Sequence, residues 1–156
     1  MRHSSDARLK DIFTERELVR ILKNGTATED ELAVRRSGAM AERERMLREA
    51  DAWEKLDPCT AAGIRSLTVQ SDLLRDISRQ QCVYHIVRDA LLRINPEYRE
   101  LLTEYYEQSV DPASIAKKMK ISSTTFWRRR RYAVGALIEA CEDCCKNMPD
   151  DLQYIV

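Results

Sequence analysis

An all-α chain is what this sequence predicts, and three observations carry that expectation. Among 156 residues there are only 4 Gly and 4 Pro, too few turn residues to punctuate many short strands. Charged residues make up 33% of the chain and are interleaved with Leu and Ala, the composition of long, partly solvated helices. Over residues 66–94 the apolar residues recur at helical rather than alternating intervals. At this length the chain holds one ordinary domain, or a small domain with an extended helical arm.

The helix starts follow in order. Thr14-Glu15-Arg16-Glu17 and Thr28-Glu29-Asp30-Glu31 both have capping-box spacing, in which threonine and glutamate satisfy each other's orphan backbone donors. The first predicts a short helix carrying Leu18, Ile21 and Leu22, stopping near Asn24-Gly25. The second predicts a much longer helix toward Leu56. Its apolar positions Leu32, Met46, Leu47, Ala50, Trp53 and Leu56 are sparse among Glu and Arg, giving a narrow buried stripe as in a coiled-coil arm. Asp57-Pro58 ends it, because proline disfavours helical backbone in the residue before it, and the chain to Gly63 reads as a connection. A second long helix over 66–94 carries Leu67, Leu74, Ile77, Tyr84, Val87, Leu91 and Ile94. Two long helices and a short loop predict an antiparallel hairpin. Residues 1–94 therefore read as a helical arm, a scaffold or oligomerisation surface.

Residues 95–140 have a different pattern. Asn95-Pro96 is a helix start, with asparagine as cap and proline at the first helical position, where its missing N–H costs nothing. That helix carries Tyr98, Leu101, Leu102, Tyr105 and Tyr106 and gives out near Ser109-Val110. Asp111-Pro112 repeats the device and opens a short helix with Ile115, Ala116 and Met119 on one face. Lys120-Ile121-Ser122-Ser123 makes a turn, and a serine there caps a third helix over about 124–140. This is the layout of a helix-turn-helix, with Ala116 as the small residue at the crossing. Ile121 and Phe126 plug the space between the helices, and Ala133 and Leu137 continue the inner face. Lys120 stands where many such turns have glycine, and so must accept left-handed backbone or a different turn. Arg129 stands near a position that is often apolar.

The net charge is zero, but its distribution is uneven. Residues 113–138 contain no acid, while Lys117, Lys118, Lys120 and Arg128 to Arg131 supply seven positive charges. A basic stripe on such helices is the electrostatic footprint of a module that binds double-stranded DNA. On the helical wheel Ser123, Thr124, Trp127, Arg128 and Arg131 project outward, the side chains expected at base edges in the major groove. Lys117, Lys118, Arg129 and Arg130 are expected at phosphates, fixing register. Trp127 has two readings, a surface anchor on DNA or a packing residue against the 98–106 helix.

Tyr98-Arg99-Glu100-Leu101-Leu102, Tyr106, Ile115-Ala116, Met119, Ser122, Arg128 and Ala133 together resemble the C-terminal part of ArpU/RinA-type phage transcriptional regulators. In those proteins a module like region 4 of sigma-70 factors follows a helical N-terminal arm. The resemblance covers about forty residues and shares its Ile-Ala and Ile-Ser core with many helix-turn-helix proteins. It implies control of phage or prophage late-gene transcription in a bacterial host cell, with contacts to RNA polymerase. Three functions follow as expectations: a dimeric regulator with the arm as assembly surface, a small-terminase-like DNA recogniser acting as a ring, or a sigma-like adaptor that binds polymerase.

Other features are weaker. Cys141-Glu142-Asp143-Cys144-Cys145 lacks the second ligand pair of a structural zinc site, so free thiols on a terminal helix are expected, with no metal and no cofactor. His3 and His85 have no acid–base partner in sequence, and no phosphate-cradling glycine loop or nucleophile elbow is present. An enzyme is not expected. Residues 141–156, with Glu142, Asp143, Asp150 and Asp151, read as an acidic tail that solvates the terminus or shields the basic face. No stretch has membrane-spanning length, the N-terminus does not read as a secretory signal, and the odd cysteine count leads to the expectation of a reducing cytoplasm.

Overall fold

The computed structural model describes residues 12–70 and 73–147, and these contain seven α-helices and no strand. Helix α1 (Glu15–Asn24) starts as the sequence predicts: the Thr14 hydroxyl accepts from the Glu17 N–H at 3.2 Å. Glu17 itself turns to Arg20 rather than back to the cap. Gly25 ends α1 at φ +52°, its N–H on the Ile21 carbonyl.

Helix α2 (Thr26–Trp53) starts two residues before the expected cap. Gly25 is both the last turn of α1 and the cap of α2, so Thr28 falls inside the helix. Its hydroxyl is buried with no hydrogen-bond partner, and the second capping box does not form. A larger correction follows at Asp57. The expected connection to Gly63 is helix: α3 (Pro58–Gln70) begins at the proline. Asp57 accepts from the N–H groups of Cys59 and Thr60, at 3.1 and 3.4 Å, and from the Thr60 hydroxyl at 2.7 Å. This is the cap-plus-proline device of residues 95–96, used once more.

Helix α4 (Leu73–Arg93) completes the arm. Arg35 bonds Gln80 and Arg36 bonds Gln81, while Arg65 reaches Asp51 at 2.9 Å. Moving back along α2 from Asp51 to Arg35 moves forward along the chain from Arg65 to Gln80, so α2 lies antiparallel to α3 and α4. Of the expected stripes, Leu32, Ala50, Ile77, Tyr84, Val87, Leu91 and Ile94 are buried. Leu47, Trp53, Leu56 and Leu67 are exposed instead, because two helices side by side cannot cover the far sides of each other.

Helix α5 (Pro96–Leu102) is capped by Asn95, which accepts from the Glu97 N–H at 2.9 Å, and it passes directly into a π-helical turn over Thr103–Glu107. Helices α6 (Pro112–Met119) and α7 (Ser123–Lys146) follow. One hydrophobic core joins α1, the second half of α4, and α5 to α7, so it crosses position 94. Helix α7 also continues six residues past the expected end near 140. Cys141, Cys144 and Cys145 extend its buried face, and residues 141–146 are helix rather than tail. Residues 148–156, which include Asp150 and Asp151 of that expected tail, lie outside the described residues. Among the described residues no helix is long and apolar enough to cross a membrane.

Candidate nucleic-acid interface

The turn between α6 and α7 closes on backbone bonds. Lys120 N–H reaches the Lys117 carbonyl at 3.2 Å, and Ile121 N–H reaches that of Ala116 at 3.0 Å. This pair of bonds is the Schellman ending of a helix, which requires left-handed backbone at its first residue after the helix. Lys120 takes that conformation, at φ 57°, ψ 44°, so the expected strain of a non-glycine residue is accepted. Ser122 then caps α7, accepting from the Thr125 N–H at 3.1 Å and donating to the Thr125 hydroxyl at 2.9 Å. Ile115, Ala116, Phe126, Ala133 and Leu137 are buried, and Ile121 is half-buried.

Behind the start of α7 the π turn builds an aromatic floor. Its wider winding presents Tyr105 and Tyr106 side by side. Tyr105 meets Phe126 edge-on at 5.6 Å and Trp127 at 5.9 Å. Trp127 is 43% exposed. The packing reading of that residue is the one the geometry bears on, since one edge rests on Tyr105 while the ring stays partly exposed. Arg88 of α4 fixes the same turn through an ion pair with Glu107.

The structure sorts the seven basic residues. Arg130 is turned inward: it donates to the Tyr106 hydroxyl at 2.9 Å, pairs with Glu15 of α1 at 3.2 Å, and lies 5.7 Å from the Trp127 ring centre. Hydrogen bonding to Tyr106 is the leading cause that raises its pKa. The residue expected at a phosphate thus joins α1, the π turn and α7 in this structure. Lys118 pairs with Glu100 at 3.0 Å and with Glu104, and the hydrogen bonds it donates to Glu104 and then Glu100 hold it protonated more firmly than usual. Arg129 stands 4.0 Å from Glu97. Acids of α5 and the π turn thus offset two of the charges. Lys117, Lys120, Arg128 and Arg131 are exposed and have no ion pair with any acid among the described residues.

At about 100° per residue, Thr124, Arg128 and Arg131 fall on one exposed face of α7. Ser123 and Trp127, both exposed, flank it on the side of Tyr105. Two residues that the sequence pattern leaves unmarked share the face. Tyr132 is 60% exposed, and Gly135 has nothing within 4 Å of where a side chain would stand. Their positions, four and seven after Arg128, are the signal that finds them.

The cysteines form no comparable site. Burial pushes Cys141 up to about 12 and also raises Cys82, Cys144 and Cys145, so these thiols stay protonated and weakly nucleophilic. Among the described residues no group of three or more His, Cys, Asp or Glu could hold a metal ion. In comparisons with known proteins, no family model, no curated protein and no solved structure matches this chain.

Proposed function

We propose that this chain is a sequence-specific DNA-binding transcriptional regulator, in which α6, the turn at 120–122 and α7 act as a helix-turn-helix on double-stranded DNA. The observation that carries this reading is the exposed face of α7. Thr124, Arg128 and Arg131 stand there, the arginines without an ion pair to any acid among the described residues, at the capped start of a helix whose inner side is locked on Phe126. A rigid helix with unpaired arginines on its outer face suits major-groove readout, where arginine recognises guanine in bidentate fashion. Lys117 and Lys120 add phosphate contacts beside it. The resemblance to ArpU/RinA-type regulators supports a phage or prophage promoter as the target and RNA polymerase as a neighbour.

Binding of fluorescent duplexes selected from a random pool tests the proposal. Arg128→Ala and Arg131→Ala each weaken specific binding by about 5- to 150-fold, equivalent to about 1–3 kcal/mol. Lys117→Ala lowers the salt slope by about one instead. Arg130→Gln loosens the fold while leaving sequence preference unchanged. A wild-type chain with no salt-sensitive affinity for any duplex would sink the reading.

A further inference from the structure

The arm has an exposed stripe that the DNA-binding reading does not use. On α2, Met40 and Leu47 are 47% and 36% exposed and stand one heptad apart. Arg36, Arg43, Glu44 and Asp51 lie on the same stripe by steps of three and four residues. It adjoins the face that α2 turns to α3 and α4, which Leu32 and Ala50 mark by their burial, and overlaps its edge, where Arg36 bonds Gln81 and Asp51 accepts from Arg65.

This stripe is its own complement. In an antiparallel pairing of two α2 helices with Met40 opposite Leu47, Arg36 faces Asp51 and Arg43 faces Glu44, and each pairing occurs twice. A parallel pairing instead sets arginine against arginine and aspartate against aspartate, which is unfavourable. The charges along the arm agree. Residues 35–48 carry Arg35, Arg36, Arg43, Arg45 and Arg48 against Glu42 and Glu44, a formal plus three. Residues 49–57 carry Glu49, Asp51, Glu54 and Asp57 against Lys55, a formal minus three. Arg65 is shared between Asp51 and Glu54, so one of those two charges stays uncompensated. Arg43 and Glu44 form no ion pair among the described residues.

We propose that a second copy of this chain docks antiparallel along α2, with the two-fold axis passing between Arg43 and Glu44. Met40 packs on Leu47 of the other copy on either side of the axis, and the two arms form one helical bundle. The contact does not require DNA. Joined to the DNA-binding reading, it places two copies of α7 in two-fold relation and sets the target as an inverted repeat.

The test is the mass and geometry of the full chain, measured without DNA so that its outcome is independent of the proposed function. Light scattering at up to about 100 µM, well above a micromolar dissociation constant, gives twice the 18.1 kDa chain mass. Leu47→Glu shifts the dimer–monomer midpoint to at least about tenfold higher concentration, with an unchanged melting curve at concentrations where both chains are monomeric, because the side chain it replaces is exposed. Arg43→Glu does the same, and Arg43→Glu with Glu44→Arg restores the dimer by exchanging the charges across the axis. Spin labels on the exposed Cys59, beyond the end of α2, read the direction. Antiparallel helices hold their Trp53 ends about 28 Å apart along the axis, so the labels are at least that distant. A monomer at the highest concentration, a ring, a charge swap without rescue, or labels within about 15 Å would each overturn the pairing.

Discussion

The arm and the body of this molecule are built from the same kind of helix, yet they are held together very differently. The body brings α1, the end of α4, and α5 to α7 onto one core, and fully buries Phe13, Phe126, Leu101, Leu102, Ile115 and Leu137. Away from that core the arm buries Leu32, Ala50, Ala61, Thr68 and Ile77, and it exposes Val34, Met40, Leu56 and Leu67. Helix length does not decide the matter. The 28-residue α2 has three buried residues, whereas the eight-residue α6 buries Ile115 completely. What decides it is how many elements meet, since a helix flanked on one side keeps most of its circumference in water.

The largest effect expected from this contrast is on stability. Phe126→Ala removes a ring touching Tyr105 and Trp127 and lying within the joined core, and costs about 3–5 kcal/mol in transfer and cavity terms. Leu56→Ala, at a residue 79% exposed, costs less than about 0.5 kcal/mol. Urea unfolding followed by circular dichroism measures both. Equal losses would break the distinction between the regions.

A smaller effect separates the two regions by their helix caps. Ser122→Ala removes the acceptor for the Thr125 N–H in the body and costs about 1 kcal/mol, the usual value of a serine cap. Asp57→Ala removes the equivalent cap in the arm, but with a pH dependence the serine lacks. The Thr60 hydroxyl, followed by backbone N–H groups, holds the Asp57 pKa below the ordinary carboxylate value. A depressed folded pKa gives stability that is present above the unfolded pKa and disappears as pH falls through the folded one. The melting difference between wild type and Asp57→Ala therefore shrinks on acidification below the carboxylate range, while the Ser122→Ala difference stays constant. A constant Asp57 difference would show that its carboxylate does not act as a charged cap.

Those caps also show how much was legible in the sequence. Thr14, Asn95 and Ser122 announce their helices because capping is local chemistry, decided within four residues. Asp57-Pro58 has the same signal, but the proline reads first as the end of α2 and hides the start of α3. The reach of α7 to Lys146 is hidden by composition. Glu139, Glu142 and Asp143 look like a solvated tail, while Ala133, Leu137, Cys141 and Cys144 keep the helical period on the opposite side. The site divides in the same way. Outward positions such as Thr124, Arg128 and Arg131 follow from the helical wheel alone. That Arg130 turns inward depends on Tyr106 and Glu15, the latter 115 residues away in sequence, and the π turn that presents Tyr106 leaves no periodic trace.

The smallest effect expected falls at the turn itself. Lys120 occupies the left-handed position of the Schellman ending, where a side chain carries a steric cost that glycine avoids. Lys120→Gly relieves that cost but makes the unfolded chain more flexible, so the net gain is less than about 1 kcal/mol, read as a small rise in melting temperature. The same substitution removes one of the four basic residues without an ion pair to any acid among the described residues, so under the proposed DNA-binding reading the salt slope falls by about one as stability rises. Opposite movement of the two quantities is the expected signature of a lysine kept at a glycine position for its charge. A loss of stability instead would mean that the lysine stem packs against the turn and that glycine is not its natural replacement there.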